Sequence, residues 1–105
     1  MTDCLVPPEL LNPVVAYFKP RRVIVFGSVA RGDAGSDSDI DLLVVLDDDA
    51  PKEKLTYKAG MEACGSYADG ADVIPCREDT YRRFSKIVGT LPYAARTEGI
   101  VVYER

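Results

Sequence analysis

The chain has 105 residues, of which 47% are hydrophobic and 29% are charged, and this is typical of one globular domain. A net charge of −4 does not give the basic surface of a protein that binds duplex nucleic acid, and no apolar run approaches the ~20 residues needed to span a membrane. Because the chain has no histidine, a tetrahedral zinc site is disfavoured and catalysis by a Ser–His or Cys–His pair within it is excluded.

The first half of the chain predicts two helices and two strands. Apolar residues at helical spacing precede a continuous apolar run, and that run indicates a strand buried on both faces. Pro13 lies inside the first helix and is expected to kink or restart it. In chain order the predicted elements are a helix over 5–18, a strand over 22–26, a short helix over 28–32 and a strand over 39–46.

The second half predicts two further strands between helices. The predicted elements are a helix over 52–67, a strand over 72–75, a further helix, a helical turn over 93–98 and a strand over 100–103. The further helix is expected to be capped by Asp79 or Thr80, to carry Tyr81, Phe84, Ile87 and Val88 on one face and to end at Gly89. Together the elements predict an α/β (α+β) fold, in which a small mixed sheet of about four strands is flanked by helices in a single domain over 1–105.

Two aspartates at the start of the second strand are the strongest functional signal. Asp39 and Asp41 are separated by one residue, so in a strand their carboxylates point to the same side. Paired carboxylates repel each other unless a cation lies between them, and Mg²⁺ accepts such ligands together with substrate phosphates. The alternative is a solvated turn, since the preceding residues are rich in glycine, serine and aspartate.

A glycine–serine pair follows the first strand. Gly27 lacks a Cβ atom, which lets a phosphate approach the backbone, and Ser28 is expected either to cap the short helix or to bind phosphate itself. Arg31 lies one turn further on and is placed to add a charge-assisted contact. The stretch therefore offers an anion site ahead of the carboxylate pair.

This pattern resembles the minimal nucleotidyltransferase (MNT) family of the DNA polymerase beta-type nucleotidyltransferase superfamily. Gly27-Ser28, ten intervening residues and Asp39-Ile40-Asp41 match its spacing, and Ser38 fits its usual composition. Asp72 matches the family's third carboxylate, and 98–103 resembles its C-terminal strand. The resemblance implies a polymerase beta-like fold, Asp39, Asp41 and Asp72 as catalytic residues and ligands of two Mg²⁺ ions, and a nucleotide site that includes Gly27, Ser28, Arg31 and Ser38.

The same resemblance implies a reaction. The chain is expected to transfer a nucleoside monophosphate, AMP from ATP, to a hydroxyl acceptor, and the family's members are often antitoxins that modify a tyrosine of a HEPN-type toxin. We expect no acceptor-binding domain beyond the last predicted strand and therefore expect a partner to present the acceptor. Two alternatives stay open: a non-catalytic module that binds a nucleotide or a partner, and a nucleotidyltransferase that acts on a small molecule or an RNA end, as an oligomer.

The cysteines and the N-terminus bear on location. Cys4, Cys64 and Cys76 are odd in number and have no CxxC spacing, which favours reduced thiols. The N-terminus lacks a basic segment followed by a long apolar stretch, so no secretory signal is evident. The expected location is the cytoplasm.

Overall fold

The structure is a computed structural model that describes residues 6–32, 39–67 and 70–105. Within these ranges, strands alternate with helices along the chain. The elements are α1 (Pro8–Phe18), β1 (Arg22–Phe26), α2 (Ser28–Arg31), β2 (Ile40–Leu46), a 3₁₀ turn (Lys52–Leu55), α3 (Tyr57–Cys64), a second 3₁₀ turn (Gly65–Tyr67), β3 (Ala71–Arg77), α4 (Glu78–Phe84), α5 (Leu91–Glu98) and β4 (Ile100–Glu104).

The four strands form one mixed sheet in the order β3-β2-β1-β4. β2 pairs with β3 in parallel, whereas β1 pairs with β2 and with β4 in antiparallel fashion. Because β1 runs opposite to β2 and β3, the last residue of β1 lies beside the start of β2, and the start of β3 lies at the same end of the sheet. We call this end of the sheet the carboxylate end, because the predicted site residues Asp39, Asp41 and Asp72 lie there.

Helices cover both faces of the sheet. On one face, α1 and α3 pack on alternate residues of the central strands, such as Val23 and Val25, while α5 and Tyr81 of α4 cover the other face, where Ile24 and Phe26 lie. Residues 23–26 are therefore buried on both sides, as their continuous apolar sequence predicts. The predicted fold class, a small mixed sheet flanked by helices, is confirmed.

The first helix differs in detail from its prediction. It begins at Pro8, since proline is tolerated in a first turn, and it continues through Pro13 without a restart. α1 is the longest helix, with 11 residues, and within the described ranges there is no helix with the length and apolar character that crossing a bilayer requires.

The predicted helix over 52–67 is wrong as one continuous element. Thr56 has extended backbone angles, and its hydroxyl accepts a hydrogen bond from the amide of Ala59 at 3.0 Å, so a new helix starts there. At the other end Gly65 takes a positive φ of 59°, which ends the α-helical geometry. The segment is thus a short α-helix between two 3₁₀ turns.

The helix predicted to carry Ile87 and Val88 ends earlier than expected. The N-cap of α4 is Arg77 rather than Asp79 or Thr80. The helix stops at Phe84, so the side chains of Ile87 and Val88 lie beyond it and are exposed. The hydroxyl of Thr90 then caps α5 by accepting from the amide of Tyr93. A single capping residue thus decides where α5 begins. As a result, α5 is longer than the helical turn predicted over 93–98.

Candidate active site at the carboxylate end of the sheet

Gly27 lies where β1 turns into α2. Its φ of 76° and ψ of −153° fall in a region that only glycine adopts without strain. A Cβ atom added here would lie 2.5 Å from Oδ2 of Asp41, because Phe26 and Asp41 are paired across β1 and β2. The absence of a side chain therefore leaves the backbone of Gly27 directly beside a carboxylate, and any larger residue would close that space.

Asp41 and Asp72 form the centre of the site. They are register partners in the parallel pairing of β2 with β3, and their side chains are within hydrogen-bonding reach of each other. The pKa of Asp41 is raised above its usual value, first by burial, then by the charges of Asp72 and Asp39 and by the hydrogen bond with Asp72. The positive charge of Arg31 opposes this shift. Burial and the neighbouring negative charges therefore make the ionised form of Asp41 less favourable than that of a free aspartate.

Asp39 is the outer member of the acidic group. It lies directly before β2 and is exposed to solvent. It is near enough to Asp41 to raise that residue's pKa by charge repulsion. The structure thus brings the three predicted carboxylates into one electrostatic group, with Asp41 and Asp72 in contact and Asp39 at its margin.

The donor chemistry of this group fits a magnesium ion. Carboxylate oxygens are the ligands that Mg²⁺ prefers, and a cation would oppose the pKa rise of Asp41, which comes first from burial and then from the charges of Asp72 and Asp39. The side chains are not closed around such an ion: over the described ranges, no three acidic or thiol groups are arranged to hold a metal. The pair is therefore preformed, and a third ligand has to come from Asp39, from water or from a substrate.

The two described cysteines contribute no reactive thiol to this region. Cys64 is buried, and burial followed by the charge of Asp72 raises the pKa of its thiol. Burial raises the pKa of Cys76 to about 12. Both thiols are thus neutral at physiological pH, which makes them poor nucleophiles and poor metal ligands. Cys4 lies outside the described residues.

The predicted nucleotide-binding residues have different outcomes. Ser28 is the first residue of α2 and its side chain does not cap the helix, so the capping prediction is wrong; Gly27 occupies the cap position. Arg31 ends this short helix, and its Nη1 donates a hydrogen bond of 2.9 Å to Oε1 of Glu98. Ser38 lies outside the described residues.

Glu98 is the contact that the sequence did not single out. It ends α5, and 67 residues separate it from Arg31 along the chain. Local spacing cannot predict an ion pair of this kind, because the pair forms only when α5 and β4 pack beside β1. The resemblance placed Glu98 only at the start of a strand.

Comparison with known proteins identifies the family. A family model described as "Nucleotidyltransferase domain" matches residues 8–88, which is most of the chain. No protein of curated function matches the sequence significantly.

Two crystal structures share the fold. One is a protein from Sulfolobus solfataricus provisionally named a nucleotidyltransferase; it is 23% identical, with a TM-score of 0.58 over 92% of this chain and 76% of that one. The other is a toxin–antitoxin with AMP-PNP; it is 16% identical, with a TM-score of 0.64 over 95% of this chain and 75% of that one. At these identities the likeness is one of fold, whereas the family model covers most of the sequence. The chain belongs to the nucleotidyltransferase domain family.

Proposed function

We propose that the chain is a magnesium-dependent enzyme that transfers AMP from ATP to a hydroxyl group of an acceptor. Family membership supports the reaction class. The observation that carries the choice of site is the contact between the open backbone at Gly27 and Asp41, which is itself paired with Asp72. A backbone that admits an anion beside carboxylates that need a cation suits a nucleoside triphosphate with its metal ion.

The phosphates are assigned to the turn between β1 and α2. At Gly27 no side chain blocks their approach, and the amides of the first turn of α2, starting with Ser28, have no partner within the helix. Arg31 supplies a positive charge one turn further along. Ser38 remains a predicted contact from the sequence.

Asp41 and Asp72 would hold the metal, and Asp39 would become a further ligand when the side chains and the substrate close around the ion. The family resemblance leads us to expect two ions. Bound there, magnesium would neutralise phosphate charge and stabilise the leaving pyrophosphate. The raised pKa of Asp41 supports this role, because a site that lacks positive charge gains most from a cation.

The reaction itself exchanges one phosphorus–oxygen bond for another. The acceptor hydroxyl attacks the α-phosphorus of ATP, the bond between the α-phosphorus and the bridging oxygen breaks, and pyrophosphate leaves. We assign the departing hydroxyl proton to the carboxylate of Asp72, which acts as the base. The other residues named here bind and orient the triphosphate, and positioning of this kind supplies most of the acceleration in phosphoryl transfer.

The proposed acceptor is a tyrosine of a partner protein, a HEPN-type toxin, which makes the chain an antitoxin. A toxin–antitoxin structure with an ATP analogue shares this fold, and that supports both the nucleotide and a protein partner. A cytoplasmic location goes with the proposal, since ATP and a toxin that cleaves RNA would both be encountered there, and the free thiols agree with a reducing compartment.

The test follows the label of ATP onto its acceptor. The purified chain is incubated with Mg²⁺ and cell extract, in parallel with ATP labelled at the α- or at the γ-phosphate. We expect α-label alone on a protein band, and mass spectrometry should find one AMP on a tyrosine. Transfer of γ-label would indicate a kinase instead, and α-label on RNA or a small molecule would support the alternative acceptors.

A second candidate is a non-catalytic module that binds a nucleotide or a partner. The observation that favours it is the lack, among the residues the structure describes, of three ligand groups already arranged for a metal. Titration with AMP-PNP separates the two functions. An affinity that rises with Mg²⁺ supports the enzyme, whereas an affinity that does not change with Mg²⁺ supports the module.

A further inference from the structure

Residues 84–91, which join α4 to α5, expose several large apolar side chains. Phe84, Ile87, Val88 and Leu91 are all exposed, and Val88 is 76% exposed. Single exposed apolar residues are normal on a protein surface, whereas four within eight consecutive residues are typical of an interaction site. We call this segment the apolar turn.

The apolar turn is held in one conformation by hydrogen bonds. The amide of Ile87 donates to the carbonyl of Phe84 at 3.0 Å, and the hydroxyl of Thr90 donates to the carbonyls of Phe84 and Ile87 at 2.7 and 2.9 Å. Nε of Arg96, in α5, donates to the carbonyl of the buried Ser85 at 2.9 Å. Because the backbone is ordered in advance, a partner that binds here loses little conformational entropy to this segment.

The surroundings of the apolar turn are basic. Residues 80–97 contain four arginine or lysine residues and no aspartate or glutamate, whereas the whole chain has a net charge of −4. Lys86 lies within the turn and is exposed. Arg82 and Arg83 precede it on α4, and their ion pairs with the first turn of that helix are exposed and therefore weak. The local charge thus favours a partner with an acidic surface.

α5 connects the apolar turn to the candidate active site. Leu91 begins this helix and Glu98 ends it, and eight residues of α-helix span about 12 Å. Glu98 in turn contacts Arg31, at the proposed phosphate site. Because a small protein domain is about 30 Å across, one partner is wide enough to cover the turn and reach the active site.

We infer that the apolar turn is the docking surface for the acceptor protein, which meets it with apolar side chains flanked by carboxylates. This inference rests on the proposed function, because it takes the acceptor to be a protein. A second copy of the chain fits less well, since a two-fold contact would place the basic side chains of the two turns against each other.

The experiment measures the rate of α-label transfer from ATP over a range of concentrations of the acceptor protein, purified once the label has identified it. We expect Val88→Asp to raise the KM for the acceptor about 10-fold, because it places a charge in the apolar contact. Lys86→Glu should raise this KM about 3-fold, and less at high salt. In both variants, kcat and the affinity for AMP-PNP should match the wild type.

The matched controls are Tyr57→Asp and Lys58→Glu. These two residues begin α3, which packs on the opposite face of the sheet, and both are exposed. The same changes of charge there should leave the KM for the acceptor within about twofold of the wild type. Thermal midpoints of all four variants confirm that each is folded.

An unchanged KM for the acceptor in Val88→Asp, or an equal rise in the controls, would overturn the inference and leave the proposed function intact. Sedimentation would then show whether the turn pairs two copies of the chain, and phosphatidylserine vesicles would show whether it meets a membrane. A wild-type chain that transfers α-label to no protein would overturn the proposed acceptor together with this inference.

Discussion

The two ends of β2 carry aspartates in opposite electrostatic situations. Asp41, at the start of the strand, faces Asp72 and Asp39, and its pKa is raised. Asp47, directly after the strand, accepts hydrogen bonds from Arg105 and Arg21, at 2.7 and 3.1 Å, and these bonds lower its pKa. One end of the sheet therefore gathers like charges, whereas the other pairs its charges.

The contrast in charge between the two ends of β2 distinguishes a site that needs a bound cation from one whose carboxylates are already paired. At the opposite end, which we call the arginine end, Glu78 pairs with Arg21, Arg22 and Arg82, so each of these two carboxylates, Asp47 and Glu78, has arginine partners within the protein. At the carboxylate end, Arg31 is the one positive charge among the described residues that opposes the pKa rise of Asp41. Uncompensated charge that opposes folding is typical of functional sites, and paired charge is typical of structural ones.

The largest expected effect comes from Asp41→Asn. If the carboxylate end is catalytic, transfer of α-label from ATP should fall about 10³-fold, because a metal ligand is lost. The thermal midpoint should stay level or rise, since a repelling charge is removed. Mg²⁺ should raise the midpoint of the wild type but not that of the variant, and a calorimetric scan with and without the ion measures this.

The matched substitution at the arginine end is Asp47→Asn. It removes the same charge from the same strand region, six residues further on, and should leave transfer within about twofold of the wild type. Equal loss of transfer in the two variants would break the comparison, because it would show that catalysis depends on overall charge or folding rather than on the carboxylate end.

A smaller loss is expected from Gly27→Ala. Its Cβ atom would meet Oδ2 of Asp41 at 2.5 Å, so either the carboxylate or the backbone has to move. A displacement of this size should lower transfer about 10²-fold, and the strained backbone should destabilise the fold by roughly 1–3 kcal/mol.

Gly32→Ala is the control for backbone strain alone. Gly32 also has a positive φ, 82°, but no atom of the described residues lies within 4 Å of an added Cβ atom. It should lose about 1 kcal/mol of stability and keep its activity. If Gly32→Ala impaired transfer as much as Gly27→Ala, the contact between Gly27 and Asp41 would not be what matters.

Local sequence patterns predicted the strands and much of the acidic site. The continuous apolar run at 23–26 requires burial on both faces, and the structure buries both. The spacing of Asp39 and Asp41 indicated a shared function without any knowledge of neighbouring strands. Helix boundaries were predicted less well, because single caps at Thr56 and Thr90 override the periodic pattern.

The contacts that local spacing does not contain depend on strand pairing, and the grouping of Asp72 with Asp39 and Asp41 was expected only from the family resemblance. The contact of Gly27 with Asp41 follows from the register of β1 and β2, and the facing of Asp41 with Asp72 follows from the parallel register of β2 and β3. Neither register can be read from one strand alone. The ion pair of Arg31 with Glu98 is still harder to predict from the sequence, since it can form only after α5 and β4 have packed against β1.

The arginine end should show a modest stability effect. Asp47→Asn removes the acceptor shared by Arg21 and Arg105, which joins the chain before β1 to the end of β4. Because all three side chains are substantially exposed, the thermal midpoint should fall by no more than a few degrees. Asp49→Asn, at an exposed neighbour that has no ion pair among the described residues, should leave the midpoint unchanged.

The smallest expected effect is a pH dependence of the difference in thermal midpoint between the wild type and Asp47→Asn. The pKa of Asp47 is lowered in the folded state, so its stabilising effect is complete above the unfolded value of about 3.9 and is lost as the pH falls toward the folded value. The midpoint gap between wild type and Asp47→Asn should therefore be constant from neutral pH down to about pH 5 and narrow below it. High salt should narrow it as well, because both ion pairs are exposed. A gap that widened on acidification would mean that Asp47 is destabilised in the folded chain, and the contrast between the two ends of β2 would then be lost.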